Sequence, residues 1–174
     1  MRKQIVVLFV TLTGLLSACA LGDVVNTTSI PPITLPPPPT LNLVGSCDDT
    51  KALETWLQVS SELRETFQTQ MNAAAAKEKN EIYPDVMNLA ALRDSGYSVA
   101  TPDCAANAGM KLSDTMSQAV TAFQSYVNGD SSDLGNMVVD INNQLDNVQA
   151  AQIELIQRME MQFQQQAQPP AATP

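Results

Sequence analysis

Histidine is missing altogether from the 174 residues, and only three cysteines, seven glycines and eight aromatic side chains are present. Without histidine there is no side chain that titrates near neutral pH, and no imidazole for a triad, a zincin-type zinc site or a haem ligand. So few glycines leave no glycine-rich phosphate loop, and no Ser or Cys is paired with a recognisable base. Nine basic residues stand against eighteen acidic ones, net charge −9, with no basic cluster longer than Arg2-Lys3. That balance argues against binding a phosphate backbone, so no nucleic-acid partner is expected. The expectation is a non-enzymatic protein with no cofactor and no dedicated metal site.

What is present begins with an address. Arg2-Lys3 precedes a mostly apolar run from Gln4 to Leu16, followed by Leu16-Ser17-Ala18-Cys19. A charged start, an apolar run of about a dozen residues and small residues before the cut form a secretory signal peptide, and the run is short of the roughly twenty residues a membrane span needs. Leu16-Ser17-Ala18-Cys19 resembles the lipobox of bacterial lipoproteins. The resemblance covers the first nineteen residues and implies removal of residues 1–18 and lipidation of Cys19. Acyl chains there would be a stable membrane anchor at about 0.8 kcal/mol per buried CH₂. In enteric-type members an Asp after the cysteine favours the inner membrane, so Ala20 points to the outer one. The implied location is the cell envelope outside the cytoplasm, at the periplasmic face or the cell surface. Loss of Arg2 and Lys3 leaves seven basic residues against eighteen acidic, a net charge of −11 on 156 residues.

Residues 19–46 read as a lipidated cysteine and a disordered, proline-rich stalk, centred on Ile30-Pro31-Pro32-Ile33-Thr34-Leu35-Pro36-Pro37-Pro38-Pro39-Thr40. Proline fixes φ and removes the N–H donor, so the segment should be polyproline II. Some twenty-five such residues at about 3.1 Å each would hold the next domain up to roughly 80 Å from the lipid.

From 47 to 167 the composition turns to Ala, Gln, Leu, Met, Asp and Glu, without strand-type alternation. The spacing predicts an all-α fold: an antiparallel up-down bundle of four helices, the second short, the last long and coiled-coil-like. The first helix opens at Ser46-Cys47-Asp48-Asp49, carries Leu53, Trp56, Leu57, Ser60, Leu63, Phe67, Met71 and Ala74 inward, and ends near 77–80. A second, with Pro84 near its start and Ile82, Val86, Leu89, Ala90 and Arg93 inward, closes at Asp94-Ser95-Gly96. The third takes Thr101 as cap and Pro102 as first residue, and runs through Leu112, Met116, Val120, Phe123 and Val127 to Asn128-Gly129. The fourth starts around Ser131-Ser132 and sets Leu134, Val138, Ile141, Leu145, Val148, Gln152, Leu155, Met159 and Gln162 in four-three steps. Its Gln164-Gln165-Gln166 end is expected to project and meet a partner or a second copy. Residues 168–174 read as a disordered tail.

With Cys19 lipidated, Cys47 and Cys104 remain, each in the first turn of a predicted helix, the first and the third. An up-down bundle puts those starts at one end, so the two are expected to form a disulfide in an oxidising compartment. Three weaker readings stand beside this. Met110, Met116, Met159 and Met161 could supply thioethers for Cu(I), but Met is also ordinary core filler. Residues 128–133 faintly resemble a calcium loop but lack its ligand spacing, and a helix stop plus cap explains them. A small-ligand carrier or sensor, holding its ligand in the bundle core, is the alternative to an envelope interaction or structural module.

Overall fold

The computed structural model describes residues 32–46, 49–131 and 133–167. The fold is all-α. Four helices follow in order: α1 (Thr50–Ala75), α2 (Tyr83–Ser98), α3 (Ala106–Asn128) and α4 (Leu134–Ala167), with a single 3₁₀ turn, Asp103–Ala105, leading into α3. Among the described residues the one β-type pairing is an isolated parallel bridge between Leu43 and Thr101.

The ends of the helices follow local chemistry. Asp49, not Ser46, caps α1, its carboxylate accepting from the Ala52 N–H at 3.0 Å. Asp133 does the same for α4, accepting from the Asn136 N–H at 3.2 Å. Gly129 ends α3 in the left-handed region at φ 87°, which a side chain would resist. Helix α2 does not stop at Gly96, as its sequence suggested, but runs to Ser98. Gly96 is a close-approach residue, where an added Cβ would come within 3.2 Å of the Met116 sulfur. Thr101 is not the cap of the third helix either; it is fully buried and serves the core.

Side-chain contacts set the directions of neighbouring helices. Ser60 meets Gln152 while Asn72 meets Asn142, so α1 and α4 run opposite ways. Lys77 pairs with Asp85 while Leu63 lies over Gly96, which makes α1 and α2 antiparallel as well. The Lys79 ammonium sits 5.3 Å from the Tyr126 ring, and Tyr97 bonds to Ser117, giving the same relation between α2 and α3.

The core falls into two apolar clusters. A large one gathers Phe67, Met71, Val86, Leu89, Met116, Val120, Phe123, Ile141, Leu145 and Val148; a small one gathers Leu53, Trp56, Leu57, Ala105, Ala108 and Leu155. Between them lies a polar layer. Gln152 donates to the Ser60 hydroxyl at 2.8 Å, and both are buried. Arg64, on the inward face of α1 one turn further on, is also buried. The sequence pattern placed Leu63 inward; it is half-buried, and Arg64 holds the core position.

The reading of 19–46 as a free stalk needs correction over its described part. Residues 32–46 lie along the helices as an extended strap, with Ile33 buried in the large cluster and Leu35 packed against it. The proline-rich part joins no sheet; side chains of α3 hold it at Ile33, and past the prolines the isolated bridge of Leu43 to Thr101 holds its other end.

Candidate functional site

Two features outside the core carry organised polar chemistry: the strap and a groove between α3 and α4. The strap is gripped at two places. At its first end, the Ile33 N–H donates to Asn128 Oδ1 at 2.8 Å, while Gln124 Nε2 (2.8 Å) and Asn128 Nδ2 (3.1 Å) both donate to the Ile33 carbonyl. At its second end, the Asn42 N–H donates to the Tyr97 carbonyl at 3.0 Å, the Thr101 N–H to the Asn42 carbonyl at 2.8 Å, and the Val44 N–H to the Thr101 carbonyl at 2.9 Å. Between the grips, Arg93 Nη2 donates to the Pro36 carbonyl at 3.3 Å, and Pro37 to Thr40 are exposed.

The spacing of these grips is a polyproline II spacing. The δ-methyl of Leu41 lies where a Cβ on Gly109 would touch it. From Ile33 to Leu41 an extended proline-type chain rises about 25 Å at 3.1 Å per residue. On α3 the matching stretch, from the Gln124–Asn128 pair back to Gly109, rises about 25 Å at 1.5 Å per residue. One strap residue therefore spans two helix residues, and the strap runs antiparallel to α3.

Thr101 ties the second grip to the small cluster. Trp56 Nε1 donates to its hydroxyl at 3.1 Å, and that hydroxyl donates on to the Val99 carbonyl at 3.0 Å. The only tryptophan is thus a core residue whose polar edge fixes the loop before α3.

The groove, about 600 Å³, is open to solvent between α3 and α4. Asn107, Lys111, Asp114 and Gln118 line it from α3, and Gln144, Asn147, Glu154 and Arg158 from α4, over a floor that includes Ala108 and Ala151. Glu154 and Arg158 pair at 3.4 Å. Carboxamides and charges of both signs suit hydrogen bonding to a polar partner.

Of the residues singled out from sequence, Cys19 and Cys47 lie outside the described residues. Cys104 is half-buried, packs against the small cluster and is among the residues lining the groove. The thioether set does not share one environment: Met116 is fully buried in the large cluster, Met159 packs on the small one, and Met110 and Met161 are half exposed to solvent. In the stretch resembling a calcium loop, Asn128 is engaged with Ile33, Gly129 ends α3 and Asp133 caps α4. The α4 seam is buried from Leu134 to Leu155, half-buried at Met159 and exposed at Gln162. None of the described helices is long and apolar enough to cross a membrane.

Sequence reading missed the strap grips and Arg64. A signal for the strap was present: Ile33, Leu35, Leu41, Leu43 and Val44 are apolar residues inside a proline-rich stretch, which a purely solvated spacer does not need. Compared with known proteins, the chain matches no family model, no curated protein and no solved structure.

Proposed function

We propose that this chain is a lipid-anchored extracytoplasmic helical protein that works by binding, as an interaction or structural module of the cell envelope, and not by catalysis. The observation that carries the reading is the amino-terminal sequence, a charged start and apolar run ending in Leu16-Ser17-Ala18-Cys19. The groove between α3 and α4 adds a polar surface on which a protein or polymer of the envelope can dock. A carrier that holds its ligand inside the core is less favoured, because this space opens to solvent and the inward positions between the helices are filled by apolar side chains.

A Cys47–Cys104 disulfide belongs to the same reading. The Gly45 carbonyl, two positions before Cys47 in sequence, accepts from the N–H of Asp103, the residue before Cys104, at 3.4 Å, which supports the pairing. Cys104 is not a free, titrating thiol. An oxidising compartment would keep such a bridge.

Metabolic labelling with a fatty acid tests the anchor. The wild-type chain should carry label and sediment with membranes, and Cys19→Ser should lose the label and become soluble. A wild-type chain that is unlabelled and soluble would overturn the reading.

A further inference from the structure

We propose that the docked strap is an orienting clamp, fixing which end of the helical domain faces the lipid. The inference rests on the anchor at Cys19 and extends it. The two turns joining α1 to α2 and α3 to α4 lie at one end of the domain, because the Lys79 ammonium is over the Tyr126 ring and next to Gly129. Ile33 is seated at that same end, on Gln124 and Asn128. The chain therefore leaves the domain towards Cys19 at the two-turn end. Trp56, Thr101, Cys104 and the carboxy-terminal part of α4 occupy the opposite end, since Ser60 meets Gln152 and Asn72 meets Asn142.

The lengths set the scale of this orientation. Residues 20–31, twelve in number, span at most about 40 Å whatever their conformation, so the two-turn end stays within that distance of the membrane. Helix α4, with 34 residues, adds about 50 Å beyond it. Measured against α1, the Ser60–Gln152 contact puts Thr50 level with about Gln162, so the last turn of α4 clears the bundle at the distal end. The groove residues Glu154 and Arg158 and the exposed Met161 are held there, away from lipid.

Releasing Ile33 moves the exit point. The chain would then leave the domain at Leu41 to Val44, beside Thr101, at the opposite end, with the tether about 25 Å longer. Docked and undocked straps thus present opposite ends of one domain to the membrane.

The test uses the chain from Cys19 onward, with Cys19 coupled to a maleimide lipid in phosphatidylcholine vesicles containing an energy-acceptor lipid. A donor fluorophore is placed, through a non-natural amino acid, at Asn80 in one preparation and at Gln162 in another. Transfer from Asn80 should be severalfold stronger than from Gln162, and Asn128→Ala, alone or with Ile33→Asp, should abolish or reverse that difference. Trp56 fluorescence and circular dichroism verify that the variants remain folded. Equal transfer from both sites in the wild type, or a difference that folded release variants leave unchanged, would overturn the clamp. Chemical coupling makes this result independent of native lipidation: labelling can fail while the clamp holds, and the reverse.

Discussion

Ile33 and Asn128, ninety-five positions apart, bind each other in both directions: the Ile33 N–H donates to the Asn128 side-chain carbonyl, and the Asn128 amide donates back to the Ile33 carbonyl. A single carboxamide thus satisfies both backbone groups of a strap residue that prolines isolate from any sheet. Asn128→Ala leaves those groups without it and should cost about 1–3 kcal/mol. Ile33→Ala should cost about 2–5 kcal/mol through lost burial. Both act on one contact, so the double variant should fall short of the sum in urea unfolding.

Thr101 is the acceptor for the only tryptophan. Thr101→Val keeps the shape but leaves the buried Trp56 N–H unpaired, an expected loss of about 1–3 kcal/mol. Trp56 emission should report the change directly, through a shift in the native-state spectrum and a lower denaturation midpoint. An unchanged midpoint would mean that the Trp56–Thr101 bond contributes nothing.

Arg64 lies in the core; among the described residues its Nε has no hydrogen-bond partner, and its one ion pair is to the exposed Glu65 at 3.3 Å. A buried charge so poorly matched is often better replaced by an apolar residue of similar volume. Arg64→Met should therefore raise stability by about 1 kcal/mol or more, seen as a thermal midpoint several degrees higher. A lower midpoint would show that the guanidinium is compensated in a way its contacts do not reveal.

Two helical glycines should respond oppositely to alanine. At Gly135 in the first turn of α4 nothing lies within 4 Å of an added Cβ, so Gly135→Ala should stabilise by up to about 1 kcal/mol. At Gly109 the same Cβ would come to 2.9 Å from the Thr101 γ-methyl, which the Trp56 bond holds in place. Gly109→Ala should destabilise despite its better helix propensity and should loosen the second strap grip.

Reduction tests the proposed bridge. Cys47 and Cys104 would close a 57-residue loop, worth about 4 kcal/mol in the chain-entropy model. Cys104→Ser and reduced wild type should unfold at similarly lowered urea concentrations, and native mass analysis should find neither cysteine alkylated. Two alkylatable thiols in the native protein would remove the bridge.

The helices were legible because their apolar positions recur every three or four residues, and Leu134 to Leu155 of the fourth seam is buried throughout. Boundaries were less so. Thr101-Pro102 has the form of a cap and first residue, yet the tertiary bond to Trp56 takes the hydroxyl, and α3 starts only at Ala106. The inward Arg64 broke the pattern because one charged residue among seven apolar neighbours reads as an exposed position next to Leu63. The strap was hidden for a different reason. Its partners, Gln124 and Asn128, are carboxamides ninety-one and ninety-five positions away, and local spacing carries no trace of such pairings. The groove was equally out of reach, since it is assembled from polar residues of two helices, such as Lys111 and Arg158, that are far apart in the sequence.

That the domain begins at the strap, and not at Cys47, is the claim on which both orientation and reach depend. Native-state hydrogen exchange on the strap amides tests it most directly. The amides of Ile33, Asn42 and Val44 each have an acceptor, whereas Leu43 between the last two has none among the described residues. Ile33, Asn42 and Val44 should exchange at least about a hundredfold more slowly than an unstructured chain, with Leu43 fast between two protected neighbours. Uniformly fast exchange from Ile33 to Val44 would contradict the docked strap and return the segment to a free stalk.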